Sequence, residues 1–185
     1  PSYSTHAIKP DIAASGASRS AIVGTETGAS GFGGTSGAAP MVAGSAALLL
    51  EGNPLMTSEE VRARLMNTAY TSVRNPGPMG SLTLAPITRV GAGEVRVDRA
   101  RSATIVAVDQ ATRIPSLSFG YQALSRAGAP HEFRRTVEVR NLSAQSKTYR
   151  LTGIHRYASS VLPVTMSCQP ATLTVGAGGI GTFDF

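Results

Sequence analysis

Hydrophobic and polar positions follow one rule in the first part of the chain and another in the second. From Met41 to Glu51 the residues are Ala, Leu, Val and Gly with few polar interruptions, the pattern of a helix buried on nearly every side, and Gly52-Asn53-Pro54 stops it. A second helix begins at Thr57, whose hydroxyl can cap free amides while Glu60 reaches back to complete a capping box. Val61, Leu65 and Met66 then recur at helical spacing, with Glu59, Arg62 and Arg64 on the polar side. Asn75-Pro76-Gly77-Pro78 breaks the pattern, and Met79 to Arg89 reads as a surface connection in which Pro86 argues against a central strand. Up to about residue 103 the expectation is loop, helix, helix and a closing strand or turn.

From about Thr104 the alternation shortens to every second residue. Thr104–Val108, Leu117–Phe119, Phe133–Arg140, Tyr149–Thr152, Val161–Met166, Thr172–Val175 and Thr182–Phe185 are expected strands. Val137 and Val139 point one way and Glu138 and Arg140 the other, which suits a half-buried antiparallel sheet. Asn141-Leu142-Ser143 and Gly176 to Gly179 supply turns at the spacing of a β-sandwich.

Composition narrows the function classes. The 185 residues can hold one medium domain or two small ones, and the 42% hydrophobic content is ordinary. Aromatics are sparse at 5%, and 20 Gly with 11 Pro imply many turns. The net charge of +6 comes almost wholly from arginines, since Lys9 and Lys147 are the only lysines. These arginines are scattered, without aromatic interleaving or a recognition-helix pattern, so no nucleic-acid partner is expected. No apolar run reaches the length that spans a bilayer. Cys168 is the single cysteine and cannot form an internal disulfide, and no Cys and His cluster suggests a metal site.

The candidate chemistry lies in Gly34-Thr35-Ser36-Gly37-Ala38-Ala39-Pro40-Met41-Val42-Ala43-Gly44, one serine in a glycine-rich loop ahead of the apolar helix. A helix N-terminus has unpaired amides and a positive dipole end, so the Ser36 amide can stabilise an oxyanion forming beside its own hydroxyl, with Thr35 in support. Gly37, Ala38 and Ala39 leave room there for a substrate carbonyl, and Pro40 is expected in the first turn, where no N–H donor is needed.

This run closely resembles the serine segment of the subtilisin-like serine proteases, the subtilases, Gly-Thr-Ser-x-Ala-x-Pro followed by a small apolar helix. Lys9-Pro10-Asp11-Ile12-Ala13-Ala14-Ser15-Gly16 is similar to the Lys-Pro-Asp-Ile-x-Ala-Pro-Gly segment that precedes it in the family, with Ser15 in place of proline. Gly91-Ala92-Gly93-Glu94-Val95 resembles the Gly-x-Gly segment that ends the catalytic domain. The resemblance covers residues 1 to about 103 and implies that Ser36 is the nucleophile and Asp11 a structural residue.

The family's triad aspartate, its histidine and the oxyanion-hole asparagine all precede the serine. Here His6 is the only histidine before Ser36 and lacks the His-Gly-Thr context of the base. A base downstream, in the order Ser36, Asp98 or Asp109, His131 or His155, superficially matches an α/β-hydrolase. The context disagrees: Ala38 stands where the nucleophile elbow needs glycine, and His131 and His155 read as exposed loop or strand-edge residues. The chain opens at Pro1 without an initiator methionine or a signal peptide, which reads as a piece of something longer.

The fold expected is therefore α/β, the C-terminal portion of a subtilisin-like fold over residues 1–103. An all-β fibronectin type III-like sandwich over 104–185 follows, its completeness left open. Thr136 to Asn141 with Thr148 to Leu151 carries the resemblance to that module. The resemblance implies a secreted or cell-surface endopeptidase acting on peptide or protein substrates through an acyl-enzyme on Ser36. The chain alone would be inactive, its triad Asp and His lying upstream. No cofactor is evident in the chain, and the resemblance implies that the full-length parent can bind calcium, as subtilases often do. Residues 37 to 51 would expose apolar surface alone, so the first part is expected to order poorly or to pair with the missing N-terminal part of its own domain. The alternative is a non-catalytic surface or protein-binding module with a degenerate protease segment.

Overall fold

The computed structural model describes residues 7–76, 82–122, 131–156 and 164–185. They divide into two units, one of Lys9–Ser102 and one whose bulk is Ala103–Phe185.

In the first unit the apolar run forms α1, Thr35–Gly52, and the capped amphipathic run forms α2, Ser58–Asn67. Thr57 caps α2 as expected, its Oγ1 accepting from the Glu60 amide at 3.2 Å. The second half of the expected capping box is not made, because the Glu60 carboxylate instead takes Arg64 Nε at 2.9 Å, one turn along the helix. Arg64 also reaches the Ala100 carbonyl at 3.4 Å, tying α2 to the short helix α4, Val97–Arg101. Leu49, Met56, Val61, Leu65 and Ala100 are buried together, with Ile12, Val42, Ala46, Val95 and Val97 packed around them. Burying a leucine-sized side chain contributes about 1.5–3 kcal/mol, so this cluster is what holds the two helices to the segment around Ile12.

The strands of this unit are short. β1, Ala17–Ala21, pairs antiparallel with β2, Ala29–Gly33, in a hairpin that leads directly into α1. The Asn75-Pro76 breaker lies at the end of β3, Arg74–Pro76, which pairs antiparallel with β4, Leu82–Leu84. The expected connection therefore includes a strand, and a short helix α3, Ile87–Val90, starts just after Pro86. Pro86 sits outside any ladder, as the N-cap of α3.

The second unit is built on β5, Ile105–Asp109, β6, Thr136–Asn141, and β9, Ile180–Asp184, in the order β5-β6-β9. All its pairings are antiparallel, with Val106 opposite Arg140 and Val139 opposite Gly181. β7, Lys147–Arg150, and β8, Thr172–Val175, make a second, two-stranded antiparallel sheet. Val137, Val139 and Val175 are buried together, and Tyr149, Leu173 and Phe183 pack on them. The inward Val137 and Val139 alternate with half-buried Glu138 and Arg140, the expected face pattern.

Two expected strands differ. Leu117–Phe119 is irregular: Leu117 packs on the valine cluster, while the Ser118 carbonyl accepts from the Arg135 guanidinium at 2.8 Å. Of Val161–Met166, residues 161–163 lie outside the described residues and Val164–Met166 is not strand.

Candidate active site

Ser36 is the second residue of α1, so the helix begins before the serine and not after it. Gly34 is the N-cap, at φ 82° and ψ −168°, a conformation open to glycine, and its carbonyl accepts from the Gly37 amide at 3.0 Å and the Ala38 amide at 3.2 Å. No side chain caps this end and the first turn holds no acidic residue. Among the described residues the Thr35 and Ser36 amides have no hydrogen-bond partner, and nothing bonds the Ser36 hydroxyl. The positive end of the helix dipole is thus uncompensated beside an exposed serine.

Pro40 corrects the expectation from sequence. It lies inside α1, beyond the first turn, because the helix starts at Thr35. Lacking an N–H, it donates nothing to the Ser36 carbonyl four residues back. The serine is therefore held by its neighbours and by Gly34, not by a complete helical ladder.

The two flanking motifs meet below this turn. The Ala13 amide donates to the Gly93 carbonyl at 2.8 Å, the Val95 amide to Ala13 at 2.8 Å and the Ala92 amide to Asp11 at 3.0 Å. Tyr70 joins them by exchanging bonds with Glu94, at 2.8 and 3.0 Å. Ser15, in the position where proline is usual, donates its hydroxyl to the Ala17 carbonyl at 3.2 Å and so secures the turn locally. Gly16 then packs against Gly34: a Cβ at Gly16 would lie 2.8 Å from the Gly34 oxygen. The sequence marked Gly16 as a motif residue but carried no signal of this contact.

Asp11 makes ion pairs with Lys9 Nζ at 2.7 Å and Arg62 Nη2 at 3.6 Å. His6 lies outside the described residues. Asp98 is exposed and bonded to Arg96 at 3.4 Å, which holds its carboxyl below the usual carboxylate range. Asp109 is buried, its Oδ1 accepting from the Ala111 amide at 2.8 Å and Thr112 at 3.1 Å, so it serves a turn. His131 is exposed and stacks on Phe133, ring centroids 6.4 Å apart, and His155 is exposed.

Only Gly37 and Leu49 of α1 are buried, while Met41 and Leu48 are about half exposed at 50% and 49%. An open apolar groove of about 380 Å³ runs beside it, lined by Ile12, Val42, Ala46, Leu50, Val61 and Leu65. Among the described residues no three His, Cys, Asp or Glu side chains cluster as a metal site.

Comparison with known proteins supplies the class of protein to which this serine-bearing helix belongs. The subtilase family model matches residues 1–121, and the chain belongs to that family. The match runs past Ser102 and through β5. Among relatives, the chain is 28% identical over 156 residues to the minor extracellular protease Vpr of Bacillus subtilis (strain 168), covering 82% of this chain. The chain spans 18% of the length of that relative. Among the described residues no helix is long and apolar enough to cross a membrane.

Proposed function

We propose that this chain is the serine-bearing part of an extracellular subtilisin-like endopeptidase, with Ser36 as nucleophile. The observation that carries the reading is the exposed Ser36 hydroxyl beside two unpartnered amides at the start of an 18-residue helix. The hydroxyl oxygen attacks the carbonyl carbon of a peptide bond while its proton passes to a histidine base. The tetrahedral oxyanion is held by the Ser36 amide, with Thr35 in support. Collapse expels the amine, which takes the proton back, and leaves an acyl ester on Ser36 that water hydrolyses.

The histidine and its orienting aspartate belong to upstream segments, as does the body that covers α1. The 18% span of the relative and the uncovered apolar face of α1, with its groove, support this. The chain by itself is accordingly inactive, since a serine hydroxyl without a base is a weak nucleophile. Calcium is assigned to no residue of this chain. Residues 104–185 form a fibronectin type III-like module, a reading supported by the antiparallel strands and alternating valines there.

A fluorophosphonate probe tests the reading. The complete protein, carrying upstream Asp-x-Gly and His-Gly-Thr segments, is expected to label at Ser36, and Ser36→Ala to lose labelling together with peptidase activity on the order of 10⁶-fold. A complete protein that lacks those segments, or that does not label, would leave the non-catalytic binding module.

A further inference from the structure

The contact between Gly16 and Gly34 reaches the proposed nucleophile through a single oxygen. The Gly34 carbonyl is the acceptor that starts α1, taking the Gly37 amide at 3.0 Å and the Ala38 amide at 3.2 Å. Ser36 lies inside the turn that these bonds close, and Pro40 supplies no further bond to its carbonyl. The direction of the Ser36 amide therefore follows the place of the Gly34 oxygen.

That oxygen is packed against Gly16. A Cβ on Gly16 would stand 2.8 Å from it, closer than side-chain carbons sit in folded proteins, and 3.3 Å from the Gly34 carbonyl carbon. The obstacle is backbone, which cannot swing aside as a flexible side chain does. Conversely, the Gly16 carbonyl is 3.0 Å from where a Cβ on Gly37 would be and 3.1 Å from that of one on Gly33. Three glycines of the serine loop thus close around the peptide of Gly16.

We infer that Gly16 is a positioning residue for the Ser36 amide: its bare Cα lets the Lys-Pro-Asp-Ile segment seat the Gly34 carbonyl, and that carbonyl aims the oxyanion donor. The inference rests on the protease reading of Ser36. Oxyanion donors lose effect when displaced by fractions of an ångström, because the developing charge gains only from a preorganised dipole. A methyl at position 16 moves the donor without touching the substrate, so it lowers the chemical rate and leaves binding alone.

The test compares alanine variants in the complete protease carrying the upstream aspartate and histidine segments. Gly16→Ala is expected to lower kcat at least tenfold with KM within twofold, and to slow fluorophosphonate labelling equally, while labelling still reaches one probe per chain. A purely structural role would instead lower the labelled fraction and leave the rate of the folded remainder unchanged, which overturns the inference. Gly31→Ala, whose Cβ meets nothing within 4 Å, is the control and is expected to match the parent. Where Gly16→Ala does not fold, Gly33→Ala strains the same junction from the other side and is expected to lower kcat three- to tenfold. Unchanged kcat in the folded variant overturns the inference while Ser36→Ala stays inactive, whereas an active Ser36→Ala removes the protease reading itself.

Discussion

Asp11 and Arg62 meet in the first unit, carboxylate Oδ2 to guanidinium Nη2 at 3.6 Å, while Lys9 Nζ holds the other oxygen at 2.7 Å. An aspartate engaged by two cations is not waiting to orient an imidazole. Asp11→Asn in the complete protease is therefore expected to keep kcat within about twofold, where loss of a triad aspartate costs on the order of 10⁴-fold. The stability cost is small, about 0–1 kcal/mol, because Lys9 and Arg62 are half exposed and water screens both pairs. A steady-state assay beside a denaturant titration checks both halves, and a thousandfold loss of kcat would make Asp11 catalytic.

Gly93 has φ 132°, and a Cβ there would run into the Tyr70 carbonyl. The same residue's carbonyl accepts from Ala13, so relieving the clash breaks the lacing of the two motifs. Gly93→Ala is expected to destabilise the first unit by about 2–3 kcal/mol through both backbone conformation and contact. Chemical denaturation measures it. A variant as stable as the parent would show that the Gly-Ala-Gly segment does not brace the serine turn.

What could be read from sequence follows burial. α1, α2, β6 and β8 were legible because one face or period of each meets a core, as Leu49, Val61, Val139 and Val175 do. The hairpin of β1 and β2 was not, since Ala, Ser and Gly lie exposed along it and leave no face to alternate. At Leu117 the apolar residue found its core without joining a ladder, so alternation misjudged the backbone. At the serine the residue types were legible from the motif. The start of the helix was not, because Gly34 serves as a cap through its own backbone and Pro40 suggested a later first turn.

Arg96 holds the Asp98 carboxyl below its ordinary range, chiefly through a side-chain hydrogen bond. The unfolded chain then binds a proton more readily than the folded one, so this contribution is present above the unfolded pKa and fades as pH falls through the folded one. Following the Asp98 carboxyl carbon by NMR should show titration at lower pH than in an unfolded peptide. Arg96→Ala is expected to move it upward toward the ordinary value. An unmoved titration would assign the effect to the start of α4 instead.

Asn141 is fully buried at the end of β6 and its side chain joins three stretches of the second unit. Its amide nitrogen donates to the carbonyls of Gln145 at 2.7 Å, Val175 at 3.1 Å and Gly176 at 3.0 Å. Its oxygen accepts from the Ser143 amide at 3.0 Å and hydroxyl at 2.7 Å. Asn141→Ala strands these groups and is expected to cost about 2–4 kcal/mol. Asn141→Asp separates hydrogen bonding from packing, because it keeps the shape but turns an acceptor toward three carbonyl oxygens. If packing alone mattered the aspartate would match the parent; the geometry requires it to be at least as damaging as alanine near neutral pH, as a thermal melt of each variant would show.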